Sequence, residues 1–522
     1  MSGPLTVGQM LSAQARLQPG RIGARDLERA MSFREWNARS CRLANALLGL
    51  GLRKGDRVAV LAYNCVEWAE IYAAAAKSGL VAVPINFRLV GPEIRYIVED
   101  AGASALIVQD ALVHEIETIR EELEVAFKNY IHLGRGICPA GYQAYEDLIA
   151  AASDREPTDQ ARPEDPWTLM YTSGTTGNPK GAIRSHRGMA MLALMTEVEM
   201  SLQRRDDALL VMPMCHANSL NFFSAFAYIG GTVTIFSRRS FDPVLCLRTF
   251  GETGATFTSL VPTQYGMLLD VPAAERERCR FDRVEKLMIS SAPARAETKR
   301  AVMEMFPNSG LFELYGSTEA GWVTMLHPNE QFDKLGSVGR EVVGSAPILL
   351  LDDDGREVPD GQPGELFSSS PYSFDGYWRQ PEKTRDAFRG DYCTVGDVAL
   401  RDSDGYIRLI DRKKNVIITG GENVYPTEIE AVLASHPDVQ DVAVIGLPDD
   451  KWGERVHAVV VSKAGKAVGP DALIDWCKPL LAGYKRPRSV TLATPDELPR
   501  TATGKVQHRL LRQRMIDKGH TG

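Results

Sequence analysis

Long apolar runs are missing from this chain. No stretch reaches eighteen uninterrupted apolar residues, and the opening MSGPLTVGQM has no basic segment leading into an apolar one, so neither a membrane span nor a secretory leader is expected. Cysteine is sparse and scattered: eight residues, Cys41, Cys65, Cys215 and Cys393 among them, with no C-x-x-C pair and no Cys/His cluster. That pattern argues against zinc and against a disulfide framework, and it implies a reducing, cytoplasmic setting. A basic face is also lacking. The net charge is −7 with both signs mixed throughout, which disfavours nucleic acid as a partner. Repeats and low-complexity tracts are absent as well. What remains is a protein built for small molecules.

At 522 residues the chain exceeds one hydrophobic core and should divide into two or three lobes. Asp56 to Asn86 reads strand, helix, strand around an alanine-rich helix that ends near Gly79. Asp207 to Phe236 repeats the pattern, with ALLVMPM and TVTIF bracketing SLNFFSAFAYIGG. Two α/β lobes are therefore expected before residue 250. From about Pro347 short β-like runs alternate with turns, as in ILLLDDDGREVPDGQPGELF, which predicts a small β-rich lobe. A helix starting at Pro426, followed by VAVIG, HAVVV and a further helix, predicts a compact α+β domain at the C-terminus. The expected class is α/β. A large N-terminal domain spans 1–411, the basic run at 412–414 forms a hinge, and a small mobile domain covers 415–522.

One loop carries chemistry. YTSGTTGNPKG, from Tyr171 to Gly181, combines hydroxyls, glycines and a lysine, a composition suited to a polyphosphate. It is not a Walker A loop, because Pro179 replaces the second glycine and Gly181 follows Lys180 where Ser or Thr should stand. Downstream come Tyr315-Gly316-Ser317-Thr318-Glu319, Val395-Gly396-Asp397, Asp411-Arg412-Lys413-Lys414 and Pro499-Arg500-Thr501-Ala502-Thr503-Gly504-Lys505.

In that order the set resembles the adenylate-forming superfamily of acyl-CoA synthetases, nonribosomal adenylation domains and luciferases, over nearly the whole chain. The resemblance implies an enzyme in which a carboxylate attacks the α-phosphorus of ATP, pyrophosphate leaves, and a thiol then displaces AMP. Two anions meet, so cations, dipoles and tight positioning are required. By resemblance Thr172, Ser173, Gly174, Thr175, Thr176, Gly177 and Lys180 cradle the β- and γ-phosphates. Thr318 donates to the α-phosphate, and Glu319 holds Mg²⁺. Tyr315, with Gly316 and Ser317 beside it, stacks on adenine, and Ser291, Ala292 and Pro293 cover the other face. An ordinary strand-to-turn segment remains the competing reading of that triplet. Asp397 bonds the ribose hydroxyls although Val395 stands where the family has Thr, and Arg412 reaches the ribose or a phosphate. Lys505 contacts the α-phosphate and the carboxylate, and Lys414 is the pivot that lets the small domain turn. His216 sits at the family's gate position or is a satisfied loop histidine. Ala217, Asn218, Phe222, Ala320, Gly321 and Trp322 would line the acyl pocket.

For the acceptor, Arg88, Trp452, Tyr484 and Arg486 resemble residues that contact the CoA nucleotide in aryl-CoA ligases, and Gly420 and Gly421 would border the pantetheine path. Taken alone, Trp452 reads as core and Arg486 as surface. No aspartate stands between Met214 and Phe226 to neutralise a substrate ammonium, which disfavours amino acids, and no fused carrier domain is expected after Lys505. The reading is an AMP-forming acid–CoA ligase of fatty-acid or aryl-acid type, using ATP, Mg²⁺ and coenzyme A on an aryl or medium-chain acid. Delivery to a carrier protein or amine is the alternative, a non-catalytic nucleotide-binding protein is less favoured, and a homodimer is left open.

Overall fold

The computed structural model describes residues 6–125, 129–158, 161–172, 179–279, 281–292, 294–419, 422–466, 468–500 and 504–519. Packing divides the chain into two units, 1–347 with 368–393, and 348–367 with 394–522.

The first unit holds two large sheets. One runs in the order Gln143–Ala144, Tyr130–Leu133, Ala103–Gln109, Arg57–Leu61, Val81–Ile85, Pro166–Thr172, Lys180–Ser185, parallel until the final antiparallel pair. The other runs Arg340–Glu341, Gly321–Leu326, Gly310–Ser317, Lys286–Ser290, Phe257–Leu260, Asp207–Leu210, Thr232–Ile235, Ile22–Arg25, Ala30–Ser32, with a parallel centre and antiparallel edges. Both expected βαβ units are present, one in each sheet. The strand expected across ALLVMPM stops at Leu210, and helix Ala217–Ile229 starts soon after.

Helices between the sheets share one core, in which Trp68, Tyr72, Trp167, Phe222 and Phe223 are fully enclosed. Helix Glu67–Ser78 shows why its sequence suits that place. Every residue from Trp68 to Ser78 is buried, and the run of alanines lets neighbouring elements approach from all sides. Its two buried charges are paired. Glu70 accepts from Arg29 at 2.9 Å, Arg39 at 2.7 Å and the Tyr145 hydroxyl at 2.8 Å, while Lys77 meets Glu156 at 2.9 Å and Ser12 at 2.6 Å.

In the second unit a four-stranded antiparallel sheet (Leu349–Leu351, Gly364–Phe367, Asp397–Arg401, Ile407–Arg412) leads into a five-stranded one. The latter is built on the hairpin Val439–Asp449 and Gly453–Ser462, with helices Pro426–Ala434, Pro470–Cys477 and His508–Asp517. The two sheets are stitched together by Asp411, which accepts from Asn415 Nδ2 at 3.1 Å and the Thr427 N–H at 3.1 Å. This is why the β-rich segment groups with the C-terminal residues by packing. Among the described residues no helix is long and apolar enough to cross a membrane.

Glu70 supplies the fold's test. Glu70→Ala leaves Arg29 and Arg39 facing a void in the core, so it should cost about 3–5 kcal/mol. A lowered urea midpoint is the expected readout, and an unchanged midpoint would refute the buried-network account.

Candidate active site

The segment Tyr315 to Gly321 is a β-hairpin turn. Strands Gly310–Ser317 and Gly321–Leu326 pair antiparallel with a bulge at Tyr315/Gly316, and the Ala320 N–H donates to Ser317 Oγ at 2.9 Å. Glycine is needed twice here. A Cβ on Gly316 would meet the Gly321 carbonyl oxygen at 2.2 Å, and Gly321 itself holds φ +72°. Thr318 and Glu319 form the tip.

Glu319 is only 7 % exposed and has no ion-pair partner among the described residues. Two hydroxyls donate to the same oxygen, Oε1: Tyr377 at 2.9 Å and Thr172 at 3.3 Å. Oε2 receives no hydrogen bond from the described residues. Thr172 ends strand Pro166–Thr172 and is paired in register with Lys180. Lys180 Nζ lies 3.8 Å from the Tyr377 ring centroid, so that ring touches the lysine while its hydroxyl holds the carboxylate. Arg184, wholly buried, donates to the Thr318 carbonyl at 2.6 Å and the Tyr372 carbonyl at 3.1 Å, which fixes the turn to the neighbouring sheet. Burial brings its pKa down to about 10, so it remains a cation.

Glu319 with a bare oxygen fits a hard divalent cation. Among the described residues no group of three His, Cys, Asp or Glu could hold a metal, which accords with a site completed by substrate phosphates. The residues present fit Mg²⁺.

The second strand-end cluster lies where parallel strands of the nine-stranded sheet finish, the place at which open α/β sheets present ligand sites. Pairing of Ser290 with Leu314 sets Ser291 and Tyr315 one step further along adjacent strands, and Ser291 takes the left-handed φ of +70°. Asn218 donates to Ser290 Oγ at 3.1 Å. Phe222 is fully enclosed, with its ring 5.1 Å from Trp322, whose indole donates to Thr196 at 2.8 Å. Four polar atoms here are buried without a partner among the described residues: His216 Nε2, Asn218 Oδ1, Asn221 Nδ2 and Ser259 Oγ. His216 opens helix Ala217–Ile229 without capping it by its side chain. Burial first, then the charge of Arg88, push its pKa down to about 4.

In the second unit Asp397 and Arg412 are paired in register, with Nε 3.2 Å from the carboxylate. The missing hydroxyl at Val395 is supplied one residue earlier: Thr394 Oγ1 accepts from the Gly396 N–H at 2.9 Å and donates to Glu365 at 3.0 Å. Lys505 shares this neighbourhood. Burial and the Arg412 charge lower its pKa below the lysine range, and Asp397 opposes them. Lys414 lies in a short 3₁₀ turn, Lys413–Asn415, a conformation frequent at hinges. Trp452 sits between Arg488, 4.4 Å from its ring, and Lys451, at 5.0 Å, while Tyr484 is exposed. Arg486 is turned inward, donating to the carbonyls of Leu481 at 2.9 Å and Lys478 at 2.8 Å. Ser173, Gly174, Thr175, Thr176, Gly177, Pro293, Gly420 and Gly421 lie outside the described residues.

Sequence reasoning missed Tyr377, Arg184, Thr394 and Arg488. For Arg184 the only signal is a cation within a strand that otherwise alternates into the core.

A model of the AMP-binding enzyme family matches residues 11–378, and a model of the AMP-binding enzyme C-terminal domain matches residues 428–505. A feruloyl-CoA synthase of Amycolatopsis sp. is 35% identical over 503 residues, spanning 96% of this chain and 97% of that protein. The long-chain-fatty-acid–CoA ligase FadD13 of Mycobacterium tuberculosis is 34% identical over 514 residues, spanning 97% and 98%. The crystal structure of the anthranilate CoA ligase AuaEII in complex with anthranoyl-AMP superposes with a TM-score of 0.88 at 27% identity, covering 98% of both chains.

His216 gives the test of this geometry. A folded pKa of about 4 lies below the ordinary histidine value of about 6.5. The native state therefore binds the proton less readily than the unfolded chain. His216 contributes stability above about 6.5 that is lost as the pH falls towards about 4. In an NMR titration the ring should stay neutral down to about pH 5, and a midpoint near the ordinary value would contradict the assigned burial.

Proposed function

Because the chain belongs to the AMP-binding enzyme family, we propose that it is an AMP-forming carboxylic acid–CoA ligase working in a reducing, cytoplasmic setting. The observation that carries this reading is the buried Glu319 carboxylate, held by two hydroxyls and paired with no cation, at the tip of the Thr318–Glu319 turn and beside Thr172 and Lys180.

Adenylation needs ATP held by its phosphates while the acid approaches in line. Thr172 and Lys180, with the loop between them, would bind the β- and γ-phosphates, and the Thr318 hydroxyl would donate to the α-phosphate. Arg184 is a positioning residue, because it grips the carbonyl of Thr318 and so fixes where that hydroxyl stands. Glu319 would hold Mg²⁺, which when bound supplies positive charge for the departing pyrophosphate. Tyr315 and the Ser291-Ala292 turn would flank adenine. The second unit would add Asp397 for the ribose hydroxyls, with Arg412 holding that carboxylate in place, and Lys505 as the cation for the α-phosphate and the entering carboxylate. Lys414 would be the pivot between adenylation and thioester formation. For the second step Trp452 and Tyr484 offer aromatic faces to the CoA adenine, and Arg488 is a better-placed guanidinium than Arg486, whose donors are engaged with backbone carbonyls.

The substrate is best read as an aryl acid bearing hydrogen-bonding groups. Trp322 and Phe222 supply flat apolar walls, and Asn218 Oδ1 and Asn221 Nδ2 are an acceptor and a donor without partners. A buried polar group left unmade costs roughly 1–3 kcal/mol, which a substrate hydroxyl or amine would recover. The relatives described as acting on ferulate and anthranilate fit this class.

Two outcomes follow. Glu319→Gln should cut acid-dependent ATP–pyrophosphate exchange about tenfold or more at low Mg²⁺ and less at high Mg²⁺; a loss independent of Mg²⁺ would remove the metal role. In a panel of free acids supplied with ATP, Mg²⁺ and CoA, hydroxy- or amino-substituted aryl acids should exceed alkyl acids of equal size in kcat/KM, and Asn218→Leu should narrow the gap about tenfold. A panel led by unsubstituted alkyl acids would overturn the substrate class.

A further inference from the structure

A cleft of about 220 Å³ opens in the first unit away from the Glu319 turn, with Tyr63, Asn64, Gln109, Arg135, Arg238 and Arg239 on its walls. Its charges do not cancel. The carboxylates that border it are already engaged: Asp26 accepts the backbone N–H groups of Glu28 and Arg29 at 2.8 Å and of Val66 at 3.1 Å. Glu67 accepts from Arg29 at 3.1 Å, and Glu28 faces Arg135 at 3.5 Å. By contrast, Arg238 donates only to the Ser237 carbonyl, and Arg239 has only the Tyr63 ring beneath it, at 5.3 Å. Gln109 uses its oxygen on the Tyr63 N–H at 2.8 Å, and its amide donors have no partner among the described residues. The cleft is thus a set of free donors with two guanidinium charges that nothing in the first unit neutralises.

The cleft is also connected to the active site. The Tyr63 ring packs on Phe87 at 4.8 Å, and Arg88 lies over the other end of that pair, 5.5 Å from the Phe87 ring. Arg88 is close enough to His216 for its charge to be felt there. Cation, ring, ring and cation therefore form a continuous ladder from the His216 end to the cleft. A cosubstrate whose reactive group enters beside His216 and whose far end carries a phosphate matches both termini.

Building on the acid–CoA ligase reading, we propose that this cleft binds the 3′-phosphate of coenzyme A, with Arg238 and Arg239 as its donors and the Tyr63–Phe87 pair as an apolar platform along the way. Guanidinium groups suit a phosphate because they offer paired donors in one plane. Arg239 is already oriented by the ring it covers. The contact is to binding alone and includes no chemical step.

The test compares CoA with 3′-dephospho-CoA in thioester formation, using the wild-type protein and the double variant Arg238→Ala, Arg239→Ala, with an unfolding midpoint to verify that the variant is folded. In the wild type, removal of the 3′-phosphate should raise KM about tenfold or more. In the double variant the two cosubstrates should have nearly equal KM values. Inorganic phosphate provides the second arm: it should compete with CoA in the wild type and lose most of that effect in the variant. If CoA supports thioester formation but the variant keeps the wild-type preference for the 3′-phosphate, the cleft assignment is overturned while the ligase reading stands. Phosphate inhibition that falls in the variant without any change in KM for CoA would make the cleft a phosphate site unrelated to the cosubstrate, and would also overturn it. Absence of CoA thioester formation by the wild type with every acid tested would remove both the ligase reading and this one.

Discussion

A carboxylate that is buried but not neutralised is the constraint on which the site depends. Glu319 is held by hydroxyls from two distant places, Thr172 at the end of one sheet's strand and Tyr377 in the segment that follows the β-rich excursion. The turn carrying Glu319 belongs to the other sheet, and Arg184 reaches across to its Thr318 carbonyl. Displacing any of these elements would leave a charge buried without its hydrogen bonds, a costly state. The charge therefore both ties the two sheets together at one point and stores negative potential that a cation bound with the substrate can satisfy. Lys180 is close by but rests on the Tyr377 ring, which keeps a positive group at the site without cancelling the carboxylate.

The residues legible in the sequence are those whose function fixes a local spacing. YTSGTTGNPKG and YGSTE can be read because a hairpin loop and a tight turn need their glycines and hydroxyls at set intervals. Tyr377 and Arg184 could not be read, since what gives them meaning is a contact across the fold, to Glu319 and Thr318, and nothing in their own neighbourhood announces it. The same limit applies within short stretches. Val395 reads as a lost hydroxyl, yet Thr394 takes over the local bond because the chain turns at Gly396. Arg486 and Arg488 are alike in sequence, but one donates to the carbonyls of Lys478 and Leu481 while the other covers Trp452.

The fold was legible where packing demands leave a strong pattern. An alanine-rich helix flanked by β-branched runs can lie only between sheets, and Glu67–Ser78 does so. Strand ends were less legible: Val211 and Met212 are apolar enough to extend a strand, but pairing ends at Leu210 and the chain turns through Pro213 into the helix that carries His216. The grouping of 348–367 with the C-terminal residues was not visible either, because it rests on Asp411 and its bonds to Asn415 and Thr427 rather than on any run of sequence.

The central claim is that a substrate carboxylate attacks the α-phosphorus of ATP. Incubating the enzyme with ATP, Mg²⁺, CoA and a carboxylic acid labelled with heavy oxygen in both carboxylate positions, then weighing the products by mass spectrometry, tests it most directly. The account predicts one labelled oxygen in AMP and unlabelled pyrophosphate. Label appearing in inorganic phosphate together with ADP, or unlabelled AMP alongside the acyl product, would contradict it.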